Sequence, residues 1–484
     1  MIQYTNIVSR KNKSMRYFIL LIFACFVNTA IGQHNIKFKI KDYTNDTLVV
    51  GYYLADKQLV HDTLLADKPG KFTMKGDSTL KTGFYLLLTL PENRIVQFLI
   101  DDDQEFEMET DINKLEVSKF KGSLDNELFG NYVAFLSKQR PEADALREKI
   151  EALDMDDPER KLLMEKLDAF DAKVEVEQNI IRDKYPNTLT AMLIKSNTGI
   201  DFPEFEGDEK EQKMQTWKYY KKHYFDHIDL GNPATIRTPF LDKRVKYYMK
   251  NLTPNLPDSI ISSMDYLLEE MRPSEETFRF YLSTFLNEYI QSKIVGMDAV
   301  YVHLAEKYYA NGDAPWLDEE TTNTIVDNAM DIKPVLIGQT AQDIQVYLED
   351  GTPIKISDID YEYLVIMFWA PDCGHCKKSM PDVVKFYEEY KDKGVTLLAI
   401  CTKHQEKTPS CWEILEEKEM TGFINAADTN HRSLFKVKYN VKTTPKIFVL
   451  DPDRKILMKN IGGQQLGEVM EELFRREKEE QGIE

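Results

Sequence analysis

The rhythm of apolar and polar positions changes twice along the chain. Between about 34 and 120 it runs with a period of two: in Asn35-Ile36-Lys37-Phe38-Lys39-Ile40 every second residue is apolar, the pattern of a strand with one buried face. The same reading predicts strands at 47–54, after the turn Asn45-Asp46, and at 84–90, 94–100 and 105–109. Short strands at this spacing predict a small antiparallel sandwich or barrel.

From about 123 the period becomes helical. Ser123-Leu124-Asp125-Asn126-Glu127-Leu128 opens a helix with capping residues. The stretches 142–155 and 158–184 are long and charged, with Leu162, Leu163, Leu167 and Phe170 at helical spacing. Further helices are predicted at 188–198, 209–225, 238–251, 257–271, 274–292, 296–310 and 317–330, separated by proline or glycine breaks such as Tyr185-Pro186-Asn187 and Asn311-Gly312. The stripe Phe278, Tyr281, Phe285, Tyr289 reads as helix-packing core rather than a ligand box.

From 331 strands and helices alternate. A hairpin (344–348 and 353–356, about Glu349-Asp350-Gly351-Thr352) leads into strand 362–368, helix 374–391, strand 395–401 and helix 409–419. A segment near Ile424, helix 431–437, strands 446–450 and 455–459, and a last helix from about 465 complete the order. The expected class is multidomain: an all-β, sandwich-like domain over 33–121, an α-helical domain over 122–330, and an α/β domain over 331–484.

Residues 1–32 read as a cleaved signal peptide. Arg10, Lys11, Lys13 and Arg16 precede an apolar run at 17–27, too short to span a bilayer, and Ala30-Ile31-Gly32 is a small-x-small cleavage site. Met15 is an alternative start, and Cys25 an alternative lipid-anchor site in a poor lipobox. The expected location is the periplasm, which permits disulfides. A formal charge of −19 argues against nucleic acid and against a bare anionic membrane surface as partners.

Beyond the leader the cysteines are Cys373, Cys376, Cys401 and Cys411. Cys401 and Cys411 are expected to be two unpaired thiols, a bridge between them being the alternative. Cys373 and Cys376 lie in Trp369-Ala370-Pro371-Asp372-Cys373-Gly374-His375-Cys376, between an apolar strand and a helix. Residues i and i+3 on a first helical turn share a face, so this C-x-x-C can close a small disulfide ring. The helix N-terminus stabilises a thiolate on the first cysteine. Cys373 is therefore the expected exposed nucleophile, Cys376 the buried resolving thiol, and His375 an added positive charge. One C-x-x-C cannot fill four zinc positions, and no second such pair is present.

With Pro381 and with Thr443-Thr444-Pro445 before Lys446-Ile447-Phe448-Val449-Leu450-Asp451, this motif resembles the thioredoxin fold, most of all its extracytoplasmic TlpA/ResA-type branch. The order of a β and a helical front half resembles Bacteroidetes-type members of that branch. The resemblance implies redox-active cysteines at Cys373 and Cys376, supported by Trp369, Pro371, Gly374, His375, Thr444 and Pro445. It also implies a cis Pro445 beside the dithiol, where the preceding backbone pairs with a substrate strand. The Gly374-His375 dipeptide is the one found in protein disulfide isomerases, which implies a potential above that of thioredoxin. Two positions depart from the pattern: Met367 and Ser379 stand where such proteins keep proton-handling acids.

The expected function is a periplasmic thiol-disulfide oxidoreductase acting on protein thiols and disulfides, with its direction left open and no metal or organic cofactor. A membrane electron-donor protein is one expected partner, and a homodimer one use of the acidic front domains. The rival reading is a binding or assembly protein whose front half carries the function and whose dithiol is passive or regulatory.

Overall fold

A computed structural model describes residues 34–480. The segment 1–32 expected to be a signal peptide, with Met15 and Cys25, lies outside the described residues. The chain divides into two compact units, Met1–Tyr248 and Met249–Glu484, so the helical stretch is shared between them.

The first unit begins with eight strands: β1 (His34–Lys41), β2 (Thr47–Leu54), β3 (Lys57–Leu65), β4 (Lys71–Gly76), β5 (Gly83–Thr89), β6 (Arg94–Ile100), β7 (Glu107–Asp111) and β8 (Lys114–Lys121). They form two four-stranded sheets, ordered β4-β1-β7-β8 and β3-β2-β5-β6. Ile36, Phe38 and Ile40 of β1 face Phe72, Met108, Leu48, Tyr85 and Phe98 in a shared core. Three strands, β3, β4 and β8, were not expected. Much of β3 and β8 is exposed edge, so neither shows a full apolar stripe. Strand β5 of the second sheet is buried on both faces, since Phe84 and, from β6, Leu99 pack with Phe129, Leu189 and Ala234. This is why β5, Gly-Phe-Tyr-Leu-Leu-Leu-Thr, does not alternate.

One helix, Leu124–Glu151, runs through Pro141 where a break near 142 was expected. Ser123 caps it by accepting from the Asn126 N–H. Two residues of its first turn reach outwards. Asn126 accepts from the Leu99 N–H and donates to the Leu99 carbonyl, both at 2.8 Å. Asp125, buried, accepts from the Leu189 and Thr190 N–H groups and from the Thr190 hydroxyl. One helix start thus ties an edge strand to the start of helix Leu189–Ser196.

The second unit carries helices Pro257–Met271, Glu275–Ile290, Asp298–Leu304 and Glu319–Ile332. Of the stripe Phe278, Tyr281, Phe285, Tyr289, the first three are buried core, as expected, and Tyr289 is half-buried at the end of its helix. A seven-stranded sheet follows, of β9 (Gln345–Tyr347), β10 (Pro353–Lys355), β11 (Tyr363–Trp369), β12 (Val395–Cys401), β13 (Ile424–Ala427), β14 (Lys446–Leu450) and β15 (Ile456–Lys459). Their order is β10-β9-β13-β12-β11-β14-β15. β11 pairs parallel with β12 and antiparallel with β14. Both faces are covered. Val365, Met367 and Trp369 pack with Val383 and Phe386 of helix Gly374–Tyr390 on one side. Leu364, Ile366 and Phe368 pack with Phe435 and Tyr439 on the other. The uninterrupted apolar run of β11 follows from that double burial.

Three expectations are corrected here. The helix predicted over 409–419 spans only Pro409–Trp412, with turns beyond. That predicted over 431–437 is the single turn Phe435–Lys438. Cys401 and Cys411, expected as free thiols, form a disulfide with Cα atoms 6.1 Å apart. Cys401 ends β12 and Cys411 sits in the short helix that folds back on it, so the loop between them brings the sulfurs together.

Candidate active site

The site forms where β11 ends and the helix Gly374–Tyr390 begins. Cys373 is the helix N-cap, with extended backbone (φ −81°, ψ 116°), and its sulfur accepts the Cys376 N–H at 3.1 Å. A thiol in this position takes the place of the usual Ser or Asp cap, so the free N–H groups of the first turn act on it. Its Sγ also donates to the Thr444 carbonyl at 3.2 Å, and the Thr444–Pro445 peptide is cis. The elements that bring these together are adjacent strands: β11 leads into Cys373, and β14, its antiparallel neighbour, is entered through Thr444 and Pro445.

The two thiols are both free and differ in environment, Cys373 half-buried and Cys376 buried. Burial works against ionisation of Cys373. Hydrogen bonds from the Cys376 and Thr444 side chains and from the Cys376 and His375 N–H groups outweigh it and hold this thiol below its ordinary value. At Cys376 burial is opposed by little, and with the neighbouring Cys373 it pushes the thiol up to about 12. The geometry therefore separates a reactive outer sulfur from a protonated inner one.

The remaining predicted residues fall around this pair. Trp369 is buried beneath it, in the cluster that holds Cys376 and Met380, and its indole N–H meets no partner. Pro371 is half-buried, and Gly374 and His375 are exposed on the first turn. Met367 is fully buried in the apolar core under the site. Ser379 accepts the Gly463 N–H at 3.1 Å, a structural bond between the helix and the loop after β15. A cleft of about 820 Å³ beside the dithiol is lined by His375, Lys378, Thr443–Pro445, Lys446 and the 460–464 segment.

Two features were not legible from motif spacing. Lys403 Nζ lies 2.5 Å from Asp372, which precedes Cys373, and Thr402 donates its N–H and hydroxyl to the Trp369 carbonyl at 2.8 and 3.1 Å. Lys459, almost wholly buried, is bonded to Asp298. The only sequence signal for the first is that Thr402 and Lys403 follow β12, the parallel neighbour of β11. Among the described residues no group of three or more His, Cys, Asp or Glu side chains is arranged to hold a metal.

Residues 337–459 match the family model described as AhpC/TSA family, 191–333 that of domain of unknown function DUF5106, and 34–129 that of domain of unknown function DUF4369. The C-terminal part of the chain is a thioredoxin-like domain of the thiol-disulfide oxidoreductase class. Thiol-disulfide oxidoreductase ResA from Bacillus anthracis is 27% identical over 134 residues, which is 28% of this chain and 75% of that protein. Thioredoxin-like protein YneN from Bacillus subtilis (strain 168) is 28% identical over 119 residues, 24% of this chain and 65% of the relative. Among solved structures, a thioredoxin-like protein from Bacteroides caccae ATCC 43185 aligns at 18% identity, covering 56% of this chain and 99% of that one, with a TM-score of 0.43.

Proposed function

We propose that the chain exchanges disulfides with protein substrates through its Cys373-Gly374-His375-Cys376 site, in the periplasm. The observation that carries this reading is the asymmetry of the two thiols: Cys373 caps a helix with its sulfur and has a depressed pKa, while Cys376 is buried with a raised one. In the reducing direction the Cys373 thiolate attacks one sulfur of a substrate disulfide. The substrate S–S bond breaks, a Cys373–substrate bond forms, and the departing thiolate takes up a proton. Cys376 then loses its proton and attacks the Cys373 sulfur, which frees the second substrate thiol and leaves a Cys373–Cys376 disulfide. Two electrons and two protons pass to the substrate. A thiol-bearing donor, for which a membrane electron-donor protein is the expected class, returns the site to the dithiol. In the oxidising direction the same steps run backwards.

The periplasmic location rests on the leader read in residues 1–32. Trp369, Pro371, Gly374, His375, Thr444 and Pro445 have supporting roles, Thr444 through the carbonyl that meets Cys373.

Trapping tests the reading. Cys376→Ser removes the resolving thiol and should accumulate mixed disulfides on Cys373, seen as adducts on non-reducing gels that vanish with reductant. Cys373→Ser should give none and should abolish exchange with model disulfides. Exchange that survives Cys373→Ser would overturn the reading and favour a passive dithiol. The equilibrium potential then fixes direction: about −270 mV marks a thioredoxin-like reductant, about −180 mV an isomerase or oxidant.

A further inference from the structure

The cleft beside the dithiol has a charge opposite to that of the chain. The whole sequence carries 81 acidic against 62 basic residues. The ionisable residues lining the cleft are His375, Lys378 and Lys446, with no Asp or Glu among them. Lys378 is exposed, one turn into the active-site helix.

Lys446 follows Pro445 directly and is half-buried at the start of β14, where its ammonium donates to the Asn440 carbonyl at 3.0 Å. It lies among like charges. Burial first, then Lys459 and Lys442, push its ammonium down to about 8, and the acid that acts against them is Asp298. That carboxylate is already bonded by the buried Lys459. The dithiol cleft is therefore bordered by a cation short of counter-charge, with a second cation on the facing helix.

We propose that this cleft selects protein substrates whose reactive cysteine is flanked by Asp or Glu, with Lys378 and Lys446 receiving the carboxylates. A peptide lying along Thr444 and Pro445 would enter the cleft that Lys378 and Lys446 also line, so acidic side chains supply the charge the cleft lacks. Basic flanks would meet uncompensated repulsion. This inference rests on the oxidoreductase reading above.

The test uses the reduced full-length chain and symmetrical disulfide dimers of three short peptides, identical except that two Glu, two Ser or two Lys flank the cysteine. The Glu peptide should be reduced about tenfold faster than the Lys peptide at low salt, mostly through KM, and the gap should narrow as salt rises. Lys378→Glu, an exposed change that leaves the fold intact, should cut this ratio about tenfold or invert it. Lys446→Gln should lower the ratio and Lys446→Arg should restore it. Lys391→Ala, at the far end of the same helix, should leave it unchanged. Equal rates for the Glu and Lys peptides, with all three reduced, would overturn charge selection while the oxidoreductase reading stands. Failure to reduce any of the three would overturn both. A ratio unmoved by Lys378→Glu would remove these lysines as its source.

Discussion

Lys403 holds the carboxylate of Asp372 at 2.5 Å, one residue ahead of Cys373. The contact keeps the Asp372 carboxyl below the usual carboxylate range, chiefly through the hydrogen bond from Lys403. It also offsets a negative charge next to a sulfur that must ionise. Lys403→Gln should therefore raise the midpoint of the pH profile for Cys373 alkylation by about half a pH unit, slowing the reaction about threefold below both midpoints. Stability should fall by less than about 1 kcal/mol, as for other exposed pairs. Lys403→Arg should restore the profile. An unchanged midpoint in Lys403→Gln would show that Asp372 is neutralised by other means.

The opposite shifts of the two thiols set a pH dependence. A thiolate is present above its pKa, so Cys373, held low, stays reactive further below pH 9 than an ordinary thiol, while Cys376 at about 12 remains protonated through the neutral range. Brief iodoacetamide treatment at neutral pH of the chain from residue 33 on, with Cys373 and Cys376 as free thiols and the Cys401–Cys411 bridge intact, should add one group, at Cys373. The second addition should come only after unfolding. Mass spectrometry of the intact chain reads both, and equal labelling of the two thiols would contradict the assignment.

The Cys401–Cys411 bridge closes a loop of sequence separation 10. Constraint of the unfolded chain by a loop of that size is worth about 2–3 kcal/mol. The Cys401→Ala, Cys411→Ala double variant should lose about that much in urea unfolding followed by tryptophan fluorescence. Because Thr402 and Lys403 follow Cys401 directly, the same variant should also slow Cys373 alkylation.

In the first unit, Asp125 should be worth more than a helix cap. Asp125→Ala leaves the Leu189 and Thr190 N–H groups buried without a partner and should cost about 2–4 kcal/mol. Burial holds the Asp125 carboxyl above its ordinary value despite the bonds from Thr190 and Leu189. Between that raised value and the unfolded one the folded state binds more protons, so this residue adds stability as pH falls. The stability gap between wild type and Asp125→Asn should widen on lowering pH from neutral to about 4. A gap that narrows would assign the residue an ionised, stabilising role instead.

Legibility in the sequence followed the strength of local pattern. β1 could be read from Asn35-Ile36-Lys37-Phe38-Lys39-Ile40 because one of its faces is buried and the other carries lysines. β3 and β8 could not, because edge strands bury too little to leave a stripe. The turn and helix start around Cys373 were legible because a strand, a C-x-x-C and a helix must follow one another in sequence to work. The short helix at Cys411 was overextended because Glu413 to Glu419 has helical composition but folds in turns around the buried Met420.

The sequence by itself determined the order of β, helical and α/β regions, the position of the dithiol, and which cysteine leads the helix. These depend on local periodicity and on spacing within one turn. The tertiary structure decided that Cys401 meets Cys411, that Thr444 presents its carbonyl to Cys373, and that Lys403 neutralises Asp372. It also decided that Lys446 stands beside Lys459 with Asp298 already taken. Each of these joins residues between 10 and about 160 positions apart in the chain. They become neighbours only when strands pair in register, and no local pattern encodes that distance.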